Sequence, residues 1–295
     1  MKKLLLLINP NAGKGGYKNG LGDALNVLYK GGYLPTVFFT SHPGEATEII
    51  ARNGAAYDMI ACMGGDGTLS EVVSGMMLLP GPPPLGYMPK GTANDVASTL
   101  KLSRDPAKAA VTIVRGNLLP MDVGRYGNDG YFTYIAAFGA FTDVSYETTQ
   151  EAKQALGHLA YVMEGMSRLP KLTHHRVRVE YDDGVITEDL VFGGVANSTS
   201  LAGLVKLDDN MVELGDGLFE VILVRNPTNI ASMSDIFKGI INRQYNNQSV
   251  VVLHSRKIRF TFDEPVAWTR DGESGGIHRD ILLENRKGAV SIMVD

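Results

Sequence analysis

Apolar and polar positions follow two regimes along this chain. Over the first 120 residues, short continuous apolar runs alternate with stretches in which apolar residues recur at helical spacing. Residues 3–8 form such a run and predict a buried strand. Leu21, Leu25 and Leu28 share one face of a helix predicted over 17–30, followed by a strand at 36–40 and a helix at 44–53. The run 59–63 then breaks into Gly64-Gly65-Asp66-Gly67-Thr68 and resumes at Leu69, Val72, Val73 and Met76. That pattern reads as a strand, a turn too tight for side chains, and a helix start. After the proline-rich link 80–84, residues 85–88 give another strand. It ends in Pro89-Lys90-Gly91-Thr92-Ala93-Asn94-Asp95 and leads into a helix. Strands alternating with helices predict a parallel, helix-covered sheet.

From about residue 123 the pattern changes. Strands are predicted at 131–138, 173–181, 185–197, 218–225, 250–253, 257–262, 280–283 and 289–294, with helices near 150–167 and 229–242. Val177, Val179 and Tyr181 alternate with Arg178 and Glu180, the mark of a sheet with one wet face, and Asp182-Asp183-Gly184 reads as a hairpin turn. The fold class expected is an α/β domain with a parallel sheet over 1–122, plus an antiparallel, β-sandwich-like domain over 123–295. The boundary falls near Asp122-Val123-Gly124.

Composition narrows this. The 295 residues, 44% hydrophobic, suffice for one large domain or two ordinary ones. A net charge of −4 gives no basic field for nucleic acid, so membrane contact would have to be local. The single cysteine, Cys62, lies in the apolar run before the glycines and favours a reducing, cytoplasmic setting. Lys2-Lys3 followed by leucines resembles a signal peptide, but the run is short and stops at Asn9-Pro10, so a first strand is expected. Nothing approaches the length of a membrane-spanning helix, and a soluble protein is expected. No His/Cys spacing suits zinc, and no motif supports Ser/His/Asp chemistry.

Candidate chemistry concentrates where strands end. Asn9-Pro10-Asn11-Ala12-Gly13, the Gly64–Thr68 turn and the 89–95 loop each follow a strand, and in open parallel sheets ligands bind beyond those ends. Glycine lets the main chain approach a ligand, and helix N-termini attract phosphate. Asp66 would repel a bare phosphate, so it reads as a Mg²⁺ ligand or, more plainly, as a helix cap. Neither the P-loop nor the dinucleotide pattern fits these loops. In the second half, residues 208–218 are rich in carboxylates. Glu213 and Asp216 with a backbone carbonyl make a hard-cation site or a solvated loop. Arg168, Lys171, His174, His175, Arg176 and Arg178 form a basic cluster suited to anionic lipid headgroups or to a protective edge strand. Asp271-Gly272-Glu273 reads as a turn or as an acidic motif.

These residues resemble a family: diacylglycerol kinases, sphingosine kinases and the bacterial lipid kinases related to them. Gly64-Gly65-Asp66-Gly67-Thr68-Leu69-Ser70-Glu71-Val72-Val73 is similar to the family's nucleotide signature, with Ser70 where Asn is commoner. Residues 89–95 resemble its second motif, Asn9-Pro10 with Gly13 its first, and Asp271-Gly272-Glu273 its acidic motif. The resemblance implies ATP in a cleft between an α/β domain, similar to NAD kinases and phosphofructokinases, and a β-rich one. By position it implies nucleotide contacts from Asn9, Pro10, Asn11, Ala12, Gly13, Thr40, Gly64, Gly65, Asp66, Gly67, Thr68, Leu69, Ser70, Glu71 and Thr92. Asp66, Asp95 and Glu273 would form the acidic centre, with Glu273 as general base and Asp271 beside it. A structural magnesium would sit on Glu213, Asp216 and the carbonyl of Leu218, although Glu213 stands where Asp is expected.

The activity expected is ATP- and Mg²⁺-dependent phosphorylation of a lipid hydroxyl, foremost that of diacylglycerol. A NAD kinase-like activity and a non-catalytic lipid- or nucleotide-binding regulator are the alternatives. The partners expected are a lipid at a membrane surface, met by peripheral contact at the inner face, and a second copy of the chain, with no nucleic acid.

Overall fold

The structure is a computed structural model. It describes residues 1–92, 94–128, 130–140, 173–197, 200–201, 205–206, 215–229, 231–236, 245 and 247–295.

The first unit is built on β1 (Lys2–Ile8), α1 (Leu21–Lys30), β2 (Tyr33–Phe39), α2 (Glu45–Asn53), β3 (Met59–Gly64), α3 (Asp66–Met76) and β4 (Leu85–Pro89). Two further helices follow, α4 (Asp95–Thr99) and α5 (Pro106–Arg115). Strands β2, β1, β3 and β4 pair in that order, all parallel. Leu4 to Ile8 are fully buried, as a strand covered on both faces requires. Alternation then sorts the side chains. Leu4, Leu6 and Ile8 pack with Ala24 and Leu28 of α1 and Ala109 and Ile113 of α5. Leu5 and Leu7 pack with Ala46 and Ile50 of α2 and with Leu69, Val72 and Val73 of α3. A period-2 strand between two period-3.6 helix layers gives this arrangement directly. The predicted helix over 17–30 starts later, at Leu21, after a 3-10 turn (Ala12–Lys18). Gly20 between them is left-handed, at φ +83°.

The second unit holds β5 (Asn117–Tyr126), β6 (Gly130–Phe132), β7 (Ile135–Gly139), β8 (His175–Tyr181), β9 (Gly184–Ala196), the short pair β10 (Ser200–Leu201) and β11 (Val205–Lys206), β12 (Phe219–Arg225), β13 (Val250–Ser255), β14 (Lys257–Arg270) and β15 (Glu273–Val294). Its pairings are antiparallel, and four strands close a ring. β9 and β14 each pair with β8 along one half and with β7 along the other. A register shift between Thr261 and Val266 carries β14 from one partner to the next, the use to which bulges are commonly put. The interior is aromatic: Phe138, Phe260, Phe262 and Trp268 meet with ring centres 4.9–6.3 Å apart, within the range where edge-to-face pairs attract.

Several sequence expectations change here. The strand expected over 131–138 is two strands, broken at Thr133-Tyr134. The separate strands at 280–283 and 289–294 are parts of the single β15. Residues 122–124, read as a boundary, lie inside β5, which pairs with β15 from Asn117 to Tyr126. Residues near the chain's end return to the first unit: Ile292 pairs in parallel with Leu85, and Asp295 accepts from Thr112 and Arg115 of α5. β8 is flanked on both sides and is no edge strand. The helix expected near 150–167 lies outside the described residues, and 231–236 is helical. Among the described residues no helix is long and apolar enough to cross a membrane.

Candidate active site

Three strand ends of the first unit are stitched to one another. Asn9, after β1, receives the N–H of Asn11 on its Oδ1 at 2.9 Å and donates from Nδ2 to Thr68 Oγ1 at 3.0 Å. Its own N–H reaches the Met63 carbonyl at the end of β3. Gly13, at φ +57°, approaches the 89–95 loop so closely that a Cβ would lie 2.1 Å from the Lys90 carbonyl oxygen. Gly91 lies on Gly65, where a Cβ would come within 2.5 Å of the Gly65 Cα. Asn94, left-handed at φ 55°, closes the loop by accepting from Gly91 N–H and donating back to Gly91 carbonyl at 2.8 and 2.7 Å. Side chains at Gly65 and Gly91 would force these loops apart.

Above them lies a cleft of about 650 Å³. Asn9, Asn11, Thr40, Gly67, Thr68, Ser70 and Glu71 line it from the first unit, and Gly130, Tyr131, Arg270, Asp271 and Glu273 from the second. His42, Pro43 and Gly44, after β2, complete its rim. The sequence thus places seven of its proposed nucleotide contacts on one cavity with Asp271 and Glu273. Leu69 is different: it is fully buried among α2 and α3 core residues, so its side chain cannot reach a nucleotide. The helix that carries the signature had to bury one face, and Leu69 falls on it. Gly64 is also buried, against Thr68, whereas Gly65 is half-buried and Ala12, Gly13 and Thr92 stand at the open ends of the loops. Pro10 ends the same turn as Asn9.

Asp66 is the first residue of α3, yet its carboxylate serves a different helix. Oδ1 accepts the Val96 N–H at 3.3 Å, at the start of α4. Burial raises its pKa, offset in part by the N–H groups of Asp95, Val96 and Asn94. Asp95 is pushed up to about 6, first by burial and then by the charge of Asp66. The charge of Asp271 also raises Asp66, and carboxylates gathered in this way are a setting in which a hard cation replaces repulsion with attraction.

On the other wall a two-residue turn, Asp271-Gly272, separates Arg270 from Glu273. Arg270 pairs with Glu273 across it, with Asp271 at φ +47° and Gly272 at φ +86°, the signs of a type I′ hairpin. The Asp271 carboxylate is buried and fully used. One oxygen accepts from Thr133 N–H (2.7 Å) and Thr133 Oγ1 (2.9 Å), the other from the N–H groups of Tyr134 and Ile135 (both 3.0 Å). This is why the β6–β7 stretch breaks at Thr133-Tyr134: its donors turn to Asp271. With these four hydrogen bonds Asp271 holds the turn, and Glu273 is the carboxylate beside it left to the cleft. Glu273 is exposed to the cleft, and no hydrogen bond or ion pair holds its carboxylate among the described residues.

Asp216 and Leu218 lie in a buried polar pocket between β5, β12 and β15, while Glu213 lies outside the described residues. Asp216 Oδ1 accepts from Leu218 N–H at 2.8 Å, and the Leu218 carbonyl accepts from Asn285 Nδ2 at 3.1 Å. Asp122, fully buried, accepts from Gly217 and Gly288 N–H. The Asn285 and Asn197 amide oxygens and both carboxylate oxygens of Glu220 have no partner among the described residues. Burial, then the charges of Asp216 and Asp122, push Glu220 up to about 8. Orphaned buried oxygens are costly, and an oxygen donor set of this kind fits a hard cation. Among the described residues no three acidic, His or Cys side chains stand together as a metal group. Sequence reading passed over Asp122, Glu220 and Asn285, although Asp122 is a lone charge within an apolar stretch.

Two residues of the basic cluster are paired with acids. Arg176 pairs with Asp189 at 3.2 Å and Arg178 with Glu180 at 2.6 Å. Arg168 and Lys171 lie outside the described residues.

Glycine-rich strand ends on one wall and an unpaired carboxylate on the other define a phosphotransferase cleft. Comparison with known proteins specifies it. The description "Diacylglycerol kinase catalytic domain" matches residues 3–126, and "YegS C-terminal NAD kinase beta sandwich-like domain" matches residues 137–293. A diacylglycerol kinase of Bacillus subtilis (strain 168) is 32% identical over 281 residues, covering 94% of this chain and 91% of its own. One from Staphylococcus saprophyticus is 36% identical over 277 residues, covering 93% and 90%. A crystal structure of a diacylglycerol kinase from Bacillus anthracis str. Sterne superposes with a TM-score of 0.75 at 23% identity, covering 100% of this chain and 97% of that one. The chain belongs to the diacylglycerol kinase catalytic-domain family. It is a lipid kinase, and as a kinase it uses ATP.

Proposed function

We propose that this chain transfers the γ-phosphate of ATP to the free hydroxyl of diacylglycerol, giving phosphatidic acid. The observation that carries this reading is the position of Glu273: unpartnered, and on the same cavity as Thr68 and Ser70 of the signature helix. The choice of diacylglycerol draws on the relatives that bear that name and align along nearly their full length.

In this reading the strand-end loops hold the phosphates through backbone N–H groups, and Asn9, Thr68 and Ser70 offer side-chain contacts. Glu273 accepts the hydroxyl proton as the lipid oxygen attacks phosphorus. Asp271 sets the hairpin that aims Glu273 and takes no part in proton transfer. Asp66 and Asp95 are the residues that would hold a magnesium ion, and the raising of both by burial and of Asp95 by the Asp66 charge fits one. When bound, the ion supplies neutralisation of phosphate charge. A second, structural magnesium would take Asp216 and the Leu218 carbonyl, beside buried oxygens that lack partners among the described residues; Glu213, the third ligand the resemblance implies, lies outside those residues.

The test is the purified protein incubated with labelled ATP, magnesium, diacylglycerol in mixed micelles and, separately, NAD. Labelled phosphatidic acid is the expected product. Label on NAD alone, or on neither acceptor, would reject the assignment. Loss of thermal protection by magnesium in Asp216→Ala, with turnover retained, is the result expected of a structural ion; unchanged protection rejects that site.

A further inference from the structure

Arg270, the last residue of β14, also lines the cleft, beside Asp271 and Glu273. Its guanidinium carbon stands 5.5 Å from the centre of the Tyr126 ring, a distance at which the ring face attracts a cation. Its other support is Gly130, where a Cβ would lie 1.8 Å from the Arg270 Nη1. The guanidinium is thus seated between an aromatic face and a position that has no side chain. Several other arginines of this unit are neutralised: Arg259 by Asp280 through paired hydrogen bonds, Arg176 and Arg178 by neighbouring acids. Arg270 has no acidic partner or hydrogen-bonded side chain among the described residues. It faces a lining that already carries Glu71, Asp271 and Glu273. Among the described residues on that lining it is the one side chain charged positively at every working pH.

We propose that Arg270 grips the terminal phosphoryl group of the nucleotide from the second unit's wall and stabilises its charge during transfer. This deepens the lipid-kinase reading and rests on it. The planar guanidinium fork matches two phosphate oxygens at once, which a lone ammonium cannot do. In the step itself the lipid oxygen bonds to phosphorus while the bond from phosphorus to the β–γ bridging oxygen breaks. The hydroxyl proton passes to Glu273, ADP leaves with the bridging electron pair, and Arg270 keeps all its protons. Because Arg270 and Glu273 pair across one turn, the hairpin delivers the anion grip and the base together.

The test uses the full chain and three variants: Arg270→Ala, Arg270→Lys and Gly130→Ala. Calorimetry with magnesium compares ADP with a non-hydrolysable ATP analogue, and turnover is followed on diacylglycerol micelles. In Arg270→Ala we expect the triphosphate to lose about tenfold or more in affinity while ADP changes less than about twofold. Turnover should fall roughly 10²–10³-fold, the usual effect of removing one preorganised donor. Millimolar guanidinium should restore part of it, and Arg270→Lys should restore less. Gly130→Ala keeps the arginine but drives it off its seat, so it should show the same triphosphate-selective loss and answers the question if Arg270→Ala does not fold. Equal loss for both nucleotides, or no loss, overturns the proposal. Nucleotide selectivity needs no lipid. A wild type that discriminates but phosphorylates no lipid would sink the lipid-kinase reading alone, whereas full activity in the variants would sink only the role of Arg270.

Discussion

The two walls of the cleft hold their chemistry by opposite means. On the first unit's wall the surface is neutral polar groups, Asn9, Thr68 and Ser70 among them, on loops packed so tightly that Gly13 and Gly91 admit no side chain. On the second unit's wall it is side chains, Arg270 and Glu273, carried on a two-residue turn. In the proposed reading the first wall receives the phosphates, which every nucleoside triphosphate shares, and the second supplies charge and a proton acceptor, which decide whether anything happens to them. Substitutions should therefore separate the walls. Changes to Arg270 and Glu273 should alter rate, whereas changes to Asp271 and to the carboxylates under the loops should alter the folded state.

The largest effect expected is from Glu273→Gln. Turnover should fall about 10²–10⁴-fold, the range for loss of a general base, with the urea midpoint unchanged because this carboxylate holds nothing in place. A variant retaining more than about a tenth of the wild-type rate would remove Glu273 from the mechanism. Asp271→Asn, two residues away, should do the reverse of a catalytic substitution. The amide would turn a donor toward N–H groups that need an acceptor, costing roughly 2–4 kcal/mol of stability. A midpoint within error of wild type would show that the four hydrogen bonds to Asp271 are not what holds the β6–β7 corner.

The smallest effect, and the sharpest for the first wall, concerns Asp95. Its folded pKa, about 6, lies above its ordinary value near 3.8. The folded state therefore binds this proton more tightly than the unfolded state. Its contribution to stability is fully present below the unfolded value and is lost as pH rises from about 4 through 6. Asp95→Asn should remove that loss and raise stability at pH 7 by about 1–2 kcal/mol when magnesium is absent. In the wild type, magnesium should be needed at higher concentration below about pH 6, where the proton competes with it. A pH-independent magnesium requirement, or a destabilised Asp95→Asn, would separate Asp95 from any cation.

Much of the first unit was legible in the sequence because its signals are local. An apolar run, a glycine-bearing turn and a helical stripe lie within twenty residues of one another around Gly64 to Met76. The second unit was less so, because what shapes it is distant in sequence. The break at Thr133-Tyr134 is dictated by Asp271, over 130 positions away. β5 escaped notice because Pro120, Asp122 and Gly124 interrupt its apolar pattern, yet each has a use once β15 lies alongside. Position in a motif also does not tell which way a side chain turns. Leu69 and Ser70 are adjacent in the signature, but only one of them meets the cleft. Arg270 stood next to a recognised acidic motif without any pattern of its own to mark it.

β15 begins at Glu273 and, 22 residues later, ends beside β4. It is a girder, roughly 70 Å along its contour, with the proton acceptor at one tip and the other tip riveted into the nucleotide-holding sheet. Rotation of one unit against the other must bend or twist this shared beam, so the jaws of the enzyme behave less like two hinged plates than like a tweezer cut from one strip.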